Sequence, residues 1–210
     1  MTKIKHPAKY TDVLLPIFEE MLNGCNKVLD PFAGTGKIHS LPFETVGVEI
    51  EPEWAQMSSN TIVGDATDLQ FANCEFDAIC TSPTYGNRMA DCHNAKDGSS
   101  RNTYTHKLGR QLSENNTGKM QWGEKYRILH IKAWNECFRV LKEGGVFILN
   151  FKNHIRKGKE VDVFSWHIKE LLEIGFAIEE VRQVKTNGNG FGQNGKLRTG
   201  FEFVAKLRKP

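Results

Sequence analysis

Short apolar runs alternate with helical stretches along most of this chain, and that rhythm constrains the fold more than any other feature. Strand-like runs stand at 27–30, 45–50, 61–63, 76–80 and 146–150. Between and around them lie amphipathic segments. In 10–22, Leu14, Ile17, Phe18, Met21 and Leu22 recur at helical spacing. Pro16 sets the start of that helix near Leu15, because proline fits a first turn and disrupts an interior, and Gly24 stops it. A short helix is expected from Pro52. A longer one over 126–141 carries Leu129, Ala133, Cys137 and Val140 on one face and is closed by Gly144 and Gly145. A last helix over 161–174 stops at Gly175. The runs 176–184 and 201–207, around a glycine-rich loop at 186–200, predict an antiparallel hairpin. Apolar strands interleaved with helices predict an α/β fold whose parallel sheet is covered on both faces. No repeat or linker interrupts it, so 1–210 is expected to be a single domain.

One stretch breaks the rhythm. Residues 86–125 form a long polar insertion rich in Asn, Gly, Ser, Thr and charge, with almost no aliphatic periodicity. Loops of that length in compact domains tend to carry function.

Composition excludes several classes. No run approaches the roughly 20 apolar residues of a membrane-spanning helix. The polar start of the chain lacks the apolar centre of a signal peptide, so a cytoplasmic location, bacterial or in a phage-infected cell, is expected. The five cysteines are scattered without CxxC spacing, which argues against a disulfide framework or a zinc ribbon. Cys92-His93, with His106 beyond, reads as polar loop rather than metal site, and no metal is expected. The net charge of +3 is a weak argument for nucleic-acid binding. Basic residues do gather in 86–130 and 185–209, where they could follow a phosphate backbone or simply face solvent.

The chemistry concentrates at strand ends. The first run ends in Asp30-Pro31-Phe32-Ala33-Gly34-Thr35-Gly36. Small residues let backbone approach a ligand, and a helix starting just beyond would offer free N–H groups. Gly36-Lys37 invites a nucleotide-phosphate reading, which fails: the upstream glycine is missing and Ile38 stands where Ser or Thr is required. A dinucleotide fingerprint fails at His39. A Gly-x-Gly turn behind a carboxylate suits a ligand with a cationic amino-acid end, such as S-adenosylmethionine. Glu49, ending the second run, is placed to accept from ribose hydroxyls, and Asp65, after the third, from an adenine amino group. Phe32 would border the cofactor. Other carboxylates such as Glu44, Glu51 and Asp68 read as surface charge.

The fourth run leads into Thr81-Ser82-Pro83-Thr84-Tyr85-Gly86. This run is similar to the motif with which amino-methyltransferases of DNA hold their target base, and an exocyclic base amine is a poor nucleophile because its lone pair is delocalised into the ring. Acceptors for its N–H bonds relieve the charge that develops on attack. Ser82 Oγ and the carbonyl of Pro83 can supply them, and Tyr85 offers a ring on which a base flipped out of its duplex can stack.

Taken together, 28–36 and Ser82-Pro83-Thr84-Tyr85 resemble the amino-methyltransferases of DNA, which modify cytosine N4 or adenine N6. Those enzymes carry a DPF-G-G cofactor turn and an (Asp/Asn/Ser)-Pro-Pro-(Tyr/Phe) motif. The resemblance spans about 6–206, is specific in the two motifs, and extends to small phage and bacterial methylases around 81–110. It implies a Rossmann-like methyltransferase fold with a mostly parallel seven-stranded sheet and an antiparallel final strand. It implies S-adenosyl-L-methionine as cofactor, held by Asp30, Phe32, Gly34, Gly36, Glu49 and Asp65, with Ser82, Pro83 and Tyr85 catalytic. It implies DNA as partner and DNA methylation, as in restriction-modification, as the role. Near the start, His6 and Lys9 would meet the cofactor's amino-acid end.

The chain departs from the motif at Thr84, where the family has proline. Threonine does not stiffen the turn, so a weakened or idle enzyme that still binds cofactor and nucleic acid is an alternative. An RNA methyltransferase acting on guanine N2 is another, although no additional RNA-binding domain is evident. Target recognition falls to 86–125 and 186–200, where Arg88, Arg101, Tyr104, Arg110 and Trp122 could stack on bases or contact phosphates.

Overall fold

The computed structural model describes residues 6–7, 11–90, 103–186, 197 and 200–210. Along them run α1 (Leu15–Met21), β1 (Lys27–Asp30), β2 (Glu44–Glu49), α2 (Pro52–Ala55), β3 (Thr61–Val63), β4 (Phe76–Thr81) and α3 (Tyr104–Leu108). Then follow α4 (Glu124–Val140), β5 (Leu141–Phe151), β6 (His154–Arg156), β7 (Lys159–Val161), α5 (Val163–Ile174), β8 (Ala177–Lys185) and β9 (Phe201–Arg208). Seven strands form one sheet in the order β3-β2-β1-β4-β5-β9-β8. β1 to β5 are mutually parallel, and β9 runs antiparallel to both β5 and β8. This is the predicted α/β sheet with its reversed final strand.

Side-chain alternation explains the layers. Val28, Ala78, Cys80, Val146, Ile148 and Val204 point to one face, where Leu14, Phe18, Met21 and Leu22 of the α1 segment cover them. Leu29, Ile79, Phe147, Leu149, Ala205 and Leu207 point to the other, under Trp134, Cys137 and Val140 of α4 and Leu171 of α5. Strands buried on both faces need apolar residues at successive positions, which is why β4 and β5 are near-continuous apolar runs.

Two expectations are corrected. No helix follows the glycine turn; residues Lys37–Ser40 make a single 3-10 turn. Pro42 holds Leu41 extended, at φ −79° and ψ 150°, so the segment has no room for more. Nor do Gly144 and Gly145 close α4. The helix ends at Val140, Leu141 is already extended, and the glycines lie within β5 where its pairing with β4 bulges. Lys209 does the capping instead. Its ammonium donates to the carbonyls of Phe138 (3.0 Å) and Leu141 (2.9 Å) and sits over the Phe138 ring. Those carbonyls lack intrahelical donors, and a buried cation satisfies them. The β6–β7 hairpin, and α3 inside the polar insertion, had no periodic signal to announce them.

A buried polar chain joins α4 and α5 to the end of β4. Trp134 Nε1 donates to His167 Nδ1 at 3.0 Å. Because an indole nitrogen can only donate, the proton of neutral His167 is on Nε2, which donates to Tyr126 Oη at 3.2 Å. Tyr126 in turn donates to the carbonyl of Thr84. His130, one turn along α4, bonds its Nδ1 to the Tyr126 carbonyl and leaves Nε2 buried without a partner among the described residues. Burial lowers the His130 pKa from the usual 6.5 to about 4, and pushes His167 well below its usual value.

A histidine held neutral in the fold stabilises it fully above the unfolded pKa, and that contribution is lost as pH falls towards the folded one. Replacing His130→Phe removes this linkage. Its stability relative to wild type is expected to move in the variant's favour by about 2 kcal/mol between pH 7 and pH 5, measured by urea unfolding. A pH-independent difference would refute the buried neutral imidazole.

Candidate active site

Open parallel sheets bind ligands at the carboxyl ends of their strands, where side chains of successive strands converge. Here Asp30 ends β1, Glu49 ends β2, Asp65 follows β3, and Ser82 to Tyr85 follow β4. Asn150 lies near the end of β5, and Glu202, near the start of the reversed β9, reaches the same edge. All of them line one cavity of about 310 Å³.

The glycine turn divides its labour. Gly34 (φ +55°) lines the cavity, and a β-carbon there would come within 3.2 Å of the His6 ring. Gly36 (φ +78°) is set back from it; a β-carbon there would lie 2.6 Å from His39 and 2.9 Å from Ser58. Its glycine serves the left-handed turn and close packing rather than approach to a ligand. Phe32 borders the cavity and also stacks on His130, so it serves wall and core together. His6 and Pro7 line the cavity, with His6 edge-on to Trp54 and Tyr104. Lys9 lies outside the described residues, as do Cys92, His93 and Arg101.

Each carboxylate on the β1–β3 side is held by donors. Asp30 accepts from the Phe32 N–H (3.0 Å) and the Thr81 hydroxyl (2.7 Å). Asp65 accepts from Thr67 N and Oγ1, both 2.8 Å, and from Asn115 Nδ2 at 2.8 Å. Glu49 accepts from the Glu51 N–H at 2.9 Å. Burial raises the Glu49 pKa to about 7, and the charges of Glu51 and Asp30 push it the same way against bonds from the Glu51 and Gly34 amides.

At the β4 end, hydrogen-bond directions can be assigned. Asn150 Nδ2 donates to the Phe203 carbonyl at 3.2 Å, which turns its Oδ1 towards Tyr85. The Tyr85 hydroxyl donates to that Oδ1 at 3.3 Å. Ser82 Oγ, 2.8 Å from the Tyr85 oxygen, then donates to it and keeps its own lone pairs for an incoming N–H. Tyr85 also packs on Phe151, with ring centroids 4.9 Å apart. Burial, and then the charge of Glu202, raise the Tyr85 phenol well above its usual range, so it stays a neutral donor.

The polar insertion forms a wall of the cavity. Glu51, expected as a surface charge, is fully buried and gathers the insertion around itself. It accepts from Ser113 N (2.7 Å), Ser113 Oγ (3.1 Å) and Asn116 Nδ2 (2.8 Å), and pairs with Arg110 at 2.8 Å. Thr84 meets Thr117 hydroxyl to hydroxyl at 2.7 Å, and the Trp122 N–H donates to the Gly86 carbonyl at 2.8 Å. Asn115, Asn116, Thr117 and Tyr104 therefore join the cavity lining.

Several residues expected to contact nucleic acid have partners on the chain itself. Arg110 is committed to Glu51 and Glu53, and Trp122 packs on Tyr126 and Trp166. In the basic end segment Lys206 and Arg208 pair with Glu179, and Lys209 is the buried cap. Sequence reasoning also missed Trp54, Asn150 and Glu202. The last two carried a faint signal, as polar residues set within apolar runs.

Among the described residues no grouping of His, Cys, Asp and Glu suits a metal ion, and no helix is long and apolar enough to cross a membrane.

Neither protein-family models nor curated protein sequences yield a match to this chain. Solved structures do. A TehB-like SAM-dependent methyltransferase from Corynebacterium glutamicum superposes with a TM-score of 0.56 at 15% identity, covering 97% of this chain and 90% of that one. A SAM-dependent methyltransferase from Methanosarcina mazei gives 0.56 at 15%, covering 92% and 97%. The [4+2]-cyclase SpnF gives 0.58 at 12%, covering 99% and 86%. The fold is the Rossmann-like fold of SAM-dependent methyltransferases. At these identities the likeness concerns architecture, and the presence of a cyclase among the neighbours shows that function must be argued from the site.

Glu51→Ala is expected to lower stability by about 1–3 kcal/mol, because it strands the donors of Ser113 and Asn116. Hydrogen exchange should quicken selectively at the amides of 110–119. Exchange there unchanged from wild type would mean that Glu51 does not hold the insertion.

Proposed function

We propose that this chain is an S-adenosylmethionine-dependent methyltransferase acting on an exocyclic amine of a nucleic-acid base, with DNA as the polymer. The observation that carries the reading is the charge and direction of one cavity's polar groups. Asp30, Glu49, Asp65 and Glu202 face it, whereas its lysine, Lys37, is paired with Asp12 at 2.7 Å. An anionic cavity of this kind repels phosphate-bearing ligands and favours one that carries ammonium and sulfonium charge.

The residues present fit that cofactor. Asp30 would hold the ammonium end beside Gly34, Glu49 the ribose hydroxyls, and Asp65 the adenine amino group. Bound there, the cofactor supplies an electrophilic methyl group. The chain's own contribution is to hold the amine. Ser82 Oγ, with its proton directed to Tyr85, and the Pro83 carbonyl accept its N–H bonds, while the Tyr85 ring supports the flipped base. Fixed acceptors in a site shielded from water favour the developing charge and the line of approach. Cytosine N4 and adenine N6 are the targets the motif favours.

Thr84 is read as a clasp rather than a lesion, because its hydroxyl ties the motif to Thr117 of the insertion. Thr84→Pro is therefore expected to reduce transfer. Transfer that appears only in Thr84→Pro would identify the wild type as idle.

Incubation with tritiated cofactor and unmethylated DNA or total RNA tests the reading directly. Label is expected in DNA as 4-methylcytosine or 6-methyladenine; label confined to RNA would overturn the choice of polymer. Tyr85→Ala should abolish transfer while cofactor still binds, as read by calorimetry. Cofactor affinity should rise as pH rises through about 7, where Glu49 ionises, and this dependence should vanish in Glu49→Gln.

A further inference from the structure

Three of the four cavity carboxylates have their donors. Asp30, Glu49 and Asp65 are each held by backbone or side-chain groups. Glu202 is 8% exposed, and among the described residues no donor lies within hydrogen-bond or ion-pair distance of its carboxylate. A cavity-lining carboxylate that no described residue engages calls for a reason.

Its position supplies one. Glu202 shares the cavity with Ser82, Pro83, Tyr85 and Asn150. It adjoins Phe203, whose carbonyl fixes Asn150, and its charge is felt at the Tyr85 hydroxyl. Among the described residues nothing on the chain uses this carboxylate, and it stands at the end of the cavity where the amine acceptors converge.

Resting on the methyltransferase reading, we infer that Glu202 is a catalytic residue that takes the proton from the methylated amine. As the amine nitrogen bonds to the methyl carbon, the carbon–sulfur bond breaks and its electron pair stays on sulfur. Nitrogen then carries a positive charge and one proton too many. That proton passes to the Glu202 carboxylate and from there to solvent, restoring the neutral amine and the ionised acid. Ser82 and Pro83, both without a basic group, orient the N–H bonds but cannot keep the proton.

Glu202→Gln preserves shape and removes the proton acceptor. Single-turnover transfer to DNA should fall by roughly 100-fold. KM for DNA should match wild type, and Glu202→Asp should recover part of the rate. Transfer by Glu202→Gln at the wild-type rate would overturn the proposal and leave the methyltransferase reading intact. Loss of cofactor binding would make Glu202 part of the scaffold and overturn it equally. A wild type that binds cofactor yet labels no nucleic acid would remove the reading beneath it.

Discussion

A carboxylate taken out of water must be met by donors, and the one at Glu51 is met almost entirely by a segment distant in sequence. Ser113, Asn116 and Arg110 converge on it from the polar insertion. This single cluster explains how a stretch with little apolar content comes to lie against the sheet. Hydrogen bonds to an ionised group are stronger than neutral ones, so a few of them can replace the apolar burial the insertion lacks. Once seated, the insertion delivers Asn115 to Asp65 and Thr117 to Thr84, and completes the cavity wall.

The rest of the site depends on directed hydrogen bonds. One chain runs from Ser82 through Tyr85 and Asn150 to the Phe203 carbonyl, and another from Trp134 through His167 and Tyr126 to the Thr84 carbonyl. Both end in backbone carbonyls that can only accept, so their polarity is fixed. They grip Ser82-Pro83-Thr84-Tyr85 from opposite sides, one from β5 and β9, the other from α4 and α5. Thr84, which does not stiffen a turn as proline would, thereby gains from its surroundings the rigidity it lacks in its own backbone.

The same architecture carries unrelated chemistry, as the methyltransferases and the cyclase that share it illustrate. What distinguishes this chain is where charge has been left. Acids crowd the strand ends, while three of the basic residues expected to meet a phosphate backbone, Arg110, Lys206 and Arg208, are engaged in ion pairs with Glu51, Glu53 and Glu179. On the proposed reading, electrostatic guidance of the nucleic acid comes from elsewhere than Arg110, Lys206, Arg208 and Lys209.

The amino-acid order alone suffices for the sheet, because its apolar runs and their succession leave few ways to bury both faces. It suffices too for the places of Asp30, Glu49, Asp65 and Ser82 to Tyr85, since strand ends in a parallel sheet share one edge. Local signals misled where another group took over the local role. Lys209 caps α4 in place of Gly144, and Pro42 cuts short the helix after Gly36. Tertiary packing settles the rest. It makes Glu51 a buried hub, sets Arg110 to serve it, turns Thr84 into a clasp, and leaves Glu202 without a donor among the described residues. These are relations between residues far apart in the chain. Whether a polar side chain is solvated, paired or stranded depends on what packs against it, and spacing along a sequence does not encode that.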